Sequence, residues 1–398
     1  MKLLSLVLVN LGRNKRRTIL TLLSVTFAIF LYCALGGVLD TLAESIKVGS
    51  ETRLVTRNKI SLVFPLPLAY RDRIAAVPGV KRVSVSNWFG GLDPNDPHNF
   101  FAQFGVDAAT YMPVYRNDVD IVAWSPAQAA IALPPEVDPK LAAFMSEQTA
   151  CVVGEALFKR MKWKLGQTVP INGTIYPGSW EFTIRAVYRA KRKSFGEENL
   201  LFHWKYLDQH GMGGRALVGI YVLELSDPAR ASAITREVDA MFENSAAATR
   251  TETERAFQAG FISMYGNVPF VLRVIGLAVV FAILLVAANT MAMAIRERTS
   301  EIGVLKTLGF EDGTIFRLVL IEAAVITLGG GALGALSAKL LIEGSHFNAM
   351  GFLPPMTVRW STVTAGVGMA VLIGAVSGLI PAWQASRLRI VQALRPAE

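Results

Sequence analysis

The sequence predicts a membrane protein that is α-helical with four transmembrane helices, carrying a large mixed α+β extracytoplasmic domain between the first and second spans. Three observations predict it. Four windows are apolar over the roughly 20 residues that a bilayer core requires. Lysines and arginines gather beside particular ends of those windows, which fixes orientation. More than half of the chain lies between the first window and the second. The composition agrees: of 398 residues, 52% are hydrophobic and 18% charged, against about a quarter charged in a typical soluble protein.

Residues 1–17 carry Lys2, Arg13, Lys15, Arg16 and Arg17, a basic segment expected on the cytoplasmic side. Thr18 to Leu39 is free of charge and forms the first span (18–39). That run is longer than the apolar core of a signal peptide and no small-x-small cleavage site follows, so it is expected to remain as a span. The second span (269–295) holds the uncharged run Val274 to Ile295. A polar connection (296–315) leads to the third span (316–338), weakened near its start by Arg317 and Glu322. A short outer loop (339–359), an uncharged fourth span (360–386) and a basic tail (387–398) complete the order.

Arg296, Arg298, Lys306 and Arg317 flank the polar connection, and Arg387, Arg389 and Arg395 lie in the tail. The outer loop has only Lys339 and Arg359 at its ends. Basic residues beside short loops face the cytoplasm, so both termini are expected there and segment 40–268 outside. This anchoring accounts for the net charge of +9, with membrane lipid as the partner and no nucleic acid.

Segment 40–268 reads as a folded domain with helical stalk ends. Val77-Pro78-Gly79-Val80 is a turn into a strand over Lys81 to Ser86. Phe182, Ile184, Ala186 and Tyr188 alternate along Glu181 to Tyr188, as in a half-buried strand. Ala216 to Leu225 is apolar on both faces and reads as one central strand. Asp227 caps a helix with Pro228 at its first position, and Ile234, Val238 and Met241 form its buried stripe. Leu39, Leu42 and Ile46 keep helical spacing beyond the first span. Thr251 and Glu254 form a capping box, and Phe257, Phe261 and Met264 an apolar stripe running toward the second span. Cys33 lies in a span and Cys151 in the outer segment, so both are expected as single packed thiols.

No catalytic constellation stands out. There is no H-E-x-x-H or G-x-S-x-G, and the four histidines, His98, His203, His210 and His346, lack metal-site spacing. A phosphate-cradling Walker loop needs Gly-Lys, a dipeptide that occurs nowhere. No metal, cofactor or catalytic residue is assigned to this chain. Arg189 to Lys193 reads as a solvated loop, with contact to an accessory protein or anionic headgroups as the alternative. Gly329, Gly330, Gly331 and Gly334, with Gly374 and Gly378, give small-xxx-small surfaces for close helix packing. Glu322 is an intramembrane charge, expected to be snorkelling or salt-bridged. Pro381 and Trp383 mark a kink and an interfacial anchor.

The polar connection keeps helical spacing between two apolar runs. A loose turn would dissipate a push into conformational entropy, whereas a helix can pass it on. Arg296, Glu297, Arg298, Glu301 and Lys306 are its expected charged contacts and Ile302 and Leu305 its apolar ridge. Gly303 is the expected point of close approach by a partner backbone, and Gly309 the terminator.

Four stretches carry a family resemblance. "RERTSEIGVLKTLGF" (Arg296 to Phe310) resembles the cytoplasmic coupling segment of the FtsX-type permeases, the group that includes the MacB exporter and the LolC/LolE machinery. "NLGRNKRRTILTLLS" (Asn10 to Ser24) resembles that family's amphipathic entry helix, implied over 1–17, and its first span, and "PAWQASRLRIVQALRPAE" (Pro381 to Glu398) its tail, with Ile390 where such tails often have proline. "CVVGEALFKRMKWKLGQTV" (Cys151 to Val169) is similar to the MacB-type periplasmic core domain. The resemblance implies a non-catalytic permease subunit of the inner membrane. Its ABC ATPase, in two copies, would bind ATP and Mg. A second permease copy, identical or related, would complete the dimer, with a periplasmic adaptor as a further partner. It implies mechanical export or extraction of an amphipathic molecule; the alternative is a signalling lever that activates an extracytoplasmic hydrolase. The isolated chain is predicted to bind no ATP, and saturable binding of a fluorescent nucleotide to the purified protein would refute this.

Overall fold

A computed structural model describes residues 7, 9, 12–47, 50, 52–96, 99–127, 131–192, 195–263, 267–345 and 356–389. These divide into a helical unit (described residues up to 41, 267–345 and 356–389) and an inserted domain (described residues within 42–263). The principal helices are α1 (Lys15–Lys47), α2 (Ala231–Phe242), α3 (Glu254–Ser263), α4 (Val268–Glu297), α5 (Thr299–Thr307), α6 (Asp312–Ser345) and α7 (Trp360–Ser386). Among the described residues, α1, α4, α6 and α7 are the helices long and apolar enough to cross a membrane. With the mixed domain between the first two of them, this is the fold class the sequence predicts.

The polar connection is shorter than a helix over 296–315. Helix α4 runs on to Glu297, the chain breaks helical geometry at Arg298, and α5 covers Thr299–Thr307. Gly309 then adopts φ 93°, a left-handed conformation that suits glycine. The Phe310 N–H bonds to Leu305 O at 3.1 Å and the Gly309 N–H to Lys306 O at 3.1 Å, the paired closure of a Schellman motif. Asp312 at once begins α6.

Among its described residues the inserted domain contains thirteen strands: β1 (Arg53–Asn58), β2 (Leu66–Pro67), β3 (Val80–Trp88), β4 (Gly91–Leu92), β5 (Ala102–Val106), β6 (Val119–Trp124), β7 (Ala150–Gly154), β8 (Thr168–Gly173), β9 (Gly178–Ala190), β10 (Asn199–His203), β11 (Leu217–Val218), β12 (Ile220–Leu225) and β13 (Thr249–Thr253). Ten lie in the order β13-β1-β12-β3-β5-β10-β7-β9-β8-β4, with β6 added beside β9. The pairs β5–β10 and β7–β9 are parallel. Strand β9 carries the clearest pattern: Trp180, Phe182, Ile184, Ala186 and Tyr188 are all fully buried. Its aromatics meet Phe89 edge-on, at 5.0 Å for Trp180 and 5.9 Å for Phe182, geometry worth about 0.5–1.5 kcal/mol per pair beyond burial.

Three sequence expectations are corrected. Ala216 to Leu225 is two strands, because β11 leaves the main sheet to pair with β2. At the break, a side chain on Gly219 would press on Ser86 O at 3.0 Å. The buried stripe of α2 is Ile234, Val238 and Phe242, with Met241 half-buried beside it. Thr251 lies in β13 and its hydroxyl meets Thr56 at 2.9 Å. Thr253 caps α3 instead, accepting from the Ala256 N–H at 3.2 Å. Met264 lies outside the described residues. Both cysteines are buried and unpaired.

Glu254 does not close a capping box because tertiary partners claim its carboxylate. It accepts the Ser50 N–H at 3.0 Å, Arg53 Nε at 3.0 Å and the Tyr115 hydroxyl at 3.1 Å. Arg53 lies 4.4 Å over the Tyr115 ring and 2.6 Å from Asp118, off the hydrogen-bond line. Burial, with the Glu254 charge second, pushes the Tyr115 hydroxyl well above its usual pKa, so it remains a donor. Glu254→Ala would leave Asp118 as the remaining carboxylate beside the buried guanidinium and orphan the Ser50, Arg53 and Tyr115 donors, a loss of roughly 3–5 kcal/mol. Thermal melting of the solubilised full chain is predicted to fall by about 10 °C; an unchanged midpoint would show the cluster to be inert.

Candidate functional site at the turn between the second and third apolar helices

Helix α5 is held by charge on three sides. Arg13 reaches Glu301 at 2.9 Å and Arg17 reaches Glu297 at 2.7 Å, both from the start of the chain. Arg298 donates Nε to Glu301 at 3.2 Å and Nη1 to both Glu322 oxygens at 3.2 and 2.9 Å. Lys306 donates Nζ to Ser386 O at 2.6 Å and Leu388 O at 2.8 Å, and pairs with Asp312 at 2.8 Å. Of the sequence-predicted charges, Arg296 is exposed, while Glu297, Arg298, Glu301 and Lys306 are engaged within the chain. Glu322, 5% exposed, is salt-bridged by Arg298.

The apolar ridge is corrected in phase. Ile302 faces inward, packed with Ile315, Val319, Ala382 and Ala385, and Gly303 is buried beside it. Leu305 is half-buried. The outward apolar residues are Val304, Leu308 and Phe310, at 48%, 71% and 38% exposure. Sequence spacing could have found them, since 304 and 308 are one turn apart on the face opposite Ile302. It did not say which face the rest of the chain would cover.

The glycines divide the same way. A side chain on Gly330 would meet Leu22 O at 2.9 Å, and on Gly334 it would collide with the Thr26 carbonyl of α1. At the α6–α7 contact, Gly331 faces Ala370, Gly374 faces Thr327 and Ala324, and Gly378 faces Ala323. Gly329 has only an ordinary contact, 3.7 Å to Leu22. Small residues matter because they let backbones approach, and five of the six serve that end. Asp40, taken from sequence as the first outer residue, belongs to this packing too. Its carboxylate accepts from the Arg359 N–H at 3.3 Å and the Thr362 hydroxyl, capping α7. Pro381 lies inside α7, and Arg387 stacks on Trp383 at 4.6 Å.

In the inserted domain the basic run is largely neutralised. Arg189 pairs with Glu155, Lys191 with Asp120 and Arg192 with Asp118; Lys193 lies outside the described residues. Charges so engaged favour a solvated loop over a binding patch.

Four membrane-length helices, a mixed domain after the first and a charge-fastened turn before the third are the build of an ABC-transporter permease. An FtsX-like permease C-terminal domain profile matches residues 273–390, and a MacB-like periplasmic core domain profile matches residues 18–241. The chain belongs to the FtsX-like permease family with a MacB-like periplasmic core domain, and is a membrane protein. It is 42% identical over 107 residues to the macrolide export ATP-binding/permease protein MacB of Sodalis glossinidius, covering 27% of this chain and 16% of that protein. It is 35% identical over 112 residues to the uncharacterized ABC transporter permease YknZ of Bacillus subtilis, covering 27% and 26%. MacB of Vibrio parahaemolyticus is 28% identical over 235 residues, covering 56% and 35%. The chain thus spans well under two thirds of each relative. The periplasmic region of MacB from Actinobacillus actinomycetemcomitans aligns with a TM-score of 0.37 at 12% identity, covering 55% of this chain and 97% of that one.

Gly334→Leu is predicted to prevent stable packing of α1 on α6, seen as lost yield and aggregation on size-exclusion chromatography. Gly329→Leu is predicted to be tolerated. Equal behaviour of the two would contradict the assignment of faces.

Proposed function

We propose that this chain is the transmembrane subunit of an ABC transporter whose ATPase, outside these residues, docks on α5. The ATPase binds ATP and Mg and drives motion of the inserted domain, which exports or extracts an amphipathic molecule. The observation that carries the reading is α5 itself. It is short, polar and closed by a Schellman turn, with Val304 exposed on it, Leu308 and Phe310 exposed in the closing turn and Arg296 exposed at the end of α4, while its other charges fasten it to the segment before α1, to α6 and to the end of α7. Such a face suits a groove on a partner: an apolar ridge supplies affinity and a peripheral cation steers approach.

The reading places both termini in the cytoplasm and the inserted domain in the periplasm, in agreement with the basic residues around α5. Helix α1 continues unbroken to Lys47, which suits a lever more than a flexible tether. Apolar side chains stay exposed on α1 (Ile19, Leu20, Leu23, Phe27) and on α4 (Phe270, Leu277, Phe281, Leu285). We assign these faces to lipid and to the second permease copy, leaving the glycine-lined α6 and α7 to pack within each copy.

Leu308→Glu puts an unpaired charge on the outward ridge while leaving the internal fastenings intact. It is predicted to keep insertion and dimerisation and to lose co-purification of the ABC ATPase. Full retention of the ATPase would remove α5 as its docking element.

A further inference from the structure

Arg298 has an unusual place. It stands between α4 and α5 at φ −109° and ψ 20°, closing one helix and opening the next. Its N–H bonds to Ile295 O and its carbonyl accepts the Ile302 N–H at 3.0 Å. The angle between the two helices is therefore set at this residue. Its side chain then crosses to Glu322, ten positions into α6, where one nitrogen holds both carboxylate oxygens. The pair borders a cavity of about 20 Å3 whose other lining is Glu301 and apolar groups such as Met291, Ile302 and Leu318, room for about one water.

A carboxylate this enclosed is costly unless paired, and hydrophobic replacement of such a pair is commonly neutral or better for stability. Stability alone therefore explains the pair poorly. Geometry gives it a use: a guanidinium held at a helix joint cannot move relative to Glu322 without leaving that buried carboxylate unpaired. Displacing α5 must either carry α6 with it or break the pair. Arg17–Glu297 and Arg13–Glu301 have no such constraint, since in each pair at least one carboxylate or guanidinium is well exposed to solvent.

We infer that Arg298 and Glu322 are the positioning pair through which displacement of α5 reaches the third apolar helix. The inference rests on the reading of α5 as the ATPase-facing element. Removing the pair leaves docking and ATP hydrolysis in place and disconnects them from the rest of the chain.

The test uses the full chain purified with its bound ABC ATPase, with and without ATP plus vanadate. Hydrogen exchange is followed separately in α5 and in the first turns of α6. In the unaltered protein both segments are expected to respond. In Glu322→Gln, which keeps side-chain shape, the α5 response and ATP turnover are expected to persist. The α6 response should be roughly tenfold smaller. The exchanged pair Arg298→Glu with Glu322→Arg should recover it. An undiminished α6 response in Glu322→Gln overturns the inference, as does an exchanged pair no better than that variant. Absence of any α5 response in the unaltered complex overturns the parent reading of the site, and the inference with it.

Discussion

A helix end surrounded by apolar groups must pass its unsatisfied backbone N–H and C=O groups to some partner. In this chain the partners are side chains from other helices. Asp40 of α1 takes the N–H at the start of α7, and Lys306 of α5 takes the carbonyls at its far end. Lys339 of α6 takes Val358 O, just before α7 begins. Each satisfied terminus is thus also a tie between two elements. The unit's order follows from this as much as from its small-residue packing: the helices cannot slide without uncovering backbone.

The inserted domain solves a related problem with charge. Arg53 begins β1 and Glu254 begins α3, so their buried pairing joins the first strand of the domain to its last helix. Tyr115 and Asp118, from the far middle of the sequence, complete the cluster. Ion clusters of this kind favour one arrangement over its near alternatives, because each misplacement strands a charge. Here it is placed where the chain enters and leaves the domain.

The architecture was legible because its signals are local. Uncharged runs mark α1, α4 and α7 without reference to anything else, and the alternation of Phe182, Ile184, Ala186 and Tyr188 marks β9. What escaped was everything decided by a distant neighbour. Thr251 and Glu254 have capping-box spacing, yet Glu254 is claimed by Arg53 some two hundred positions earlier. Ile302 and Val304 look equally apolar in sequence, and only the positions of α6 and α7 decide that one is buried. Gly329 and Gly330 are indistinguishable in a glycine run until α1 lies against the second. Phase, more than element type, is what the linear chain hides.

The first strand of the inserted domain, β1, and its last, β13, pair directly, Leu54 opposite Thr253. Hydrogen-bonded neighbours stand about 5 Å apart, so the roughly two hundred residues between Leu54 and Thr253 start and finish at a doorway one strand-spacing wide. Sequence inserted or removed beyond that doorway does not change where the two ends emerge. Such a domain can be enlarged, trimmed or exchanged as a cassette while the helices on either side keep their threading. The shared hydrogen-bond ladder of β1 and β13 is then the part that such remodelling has to leave intact.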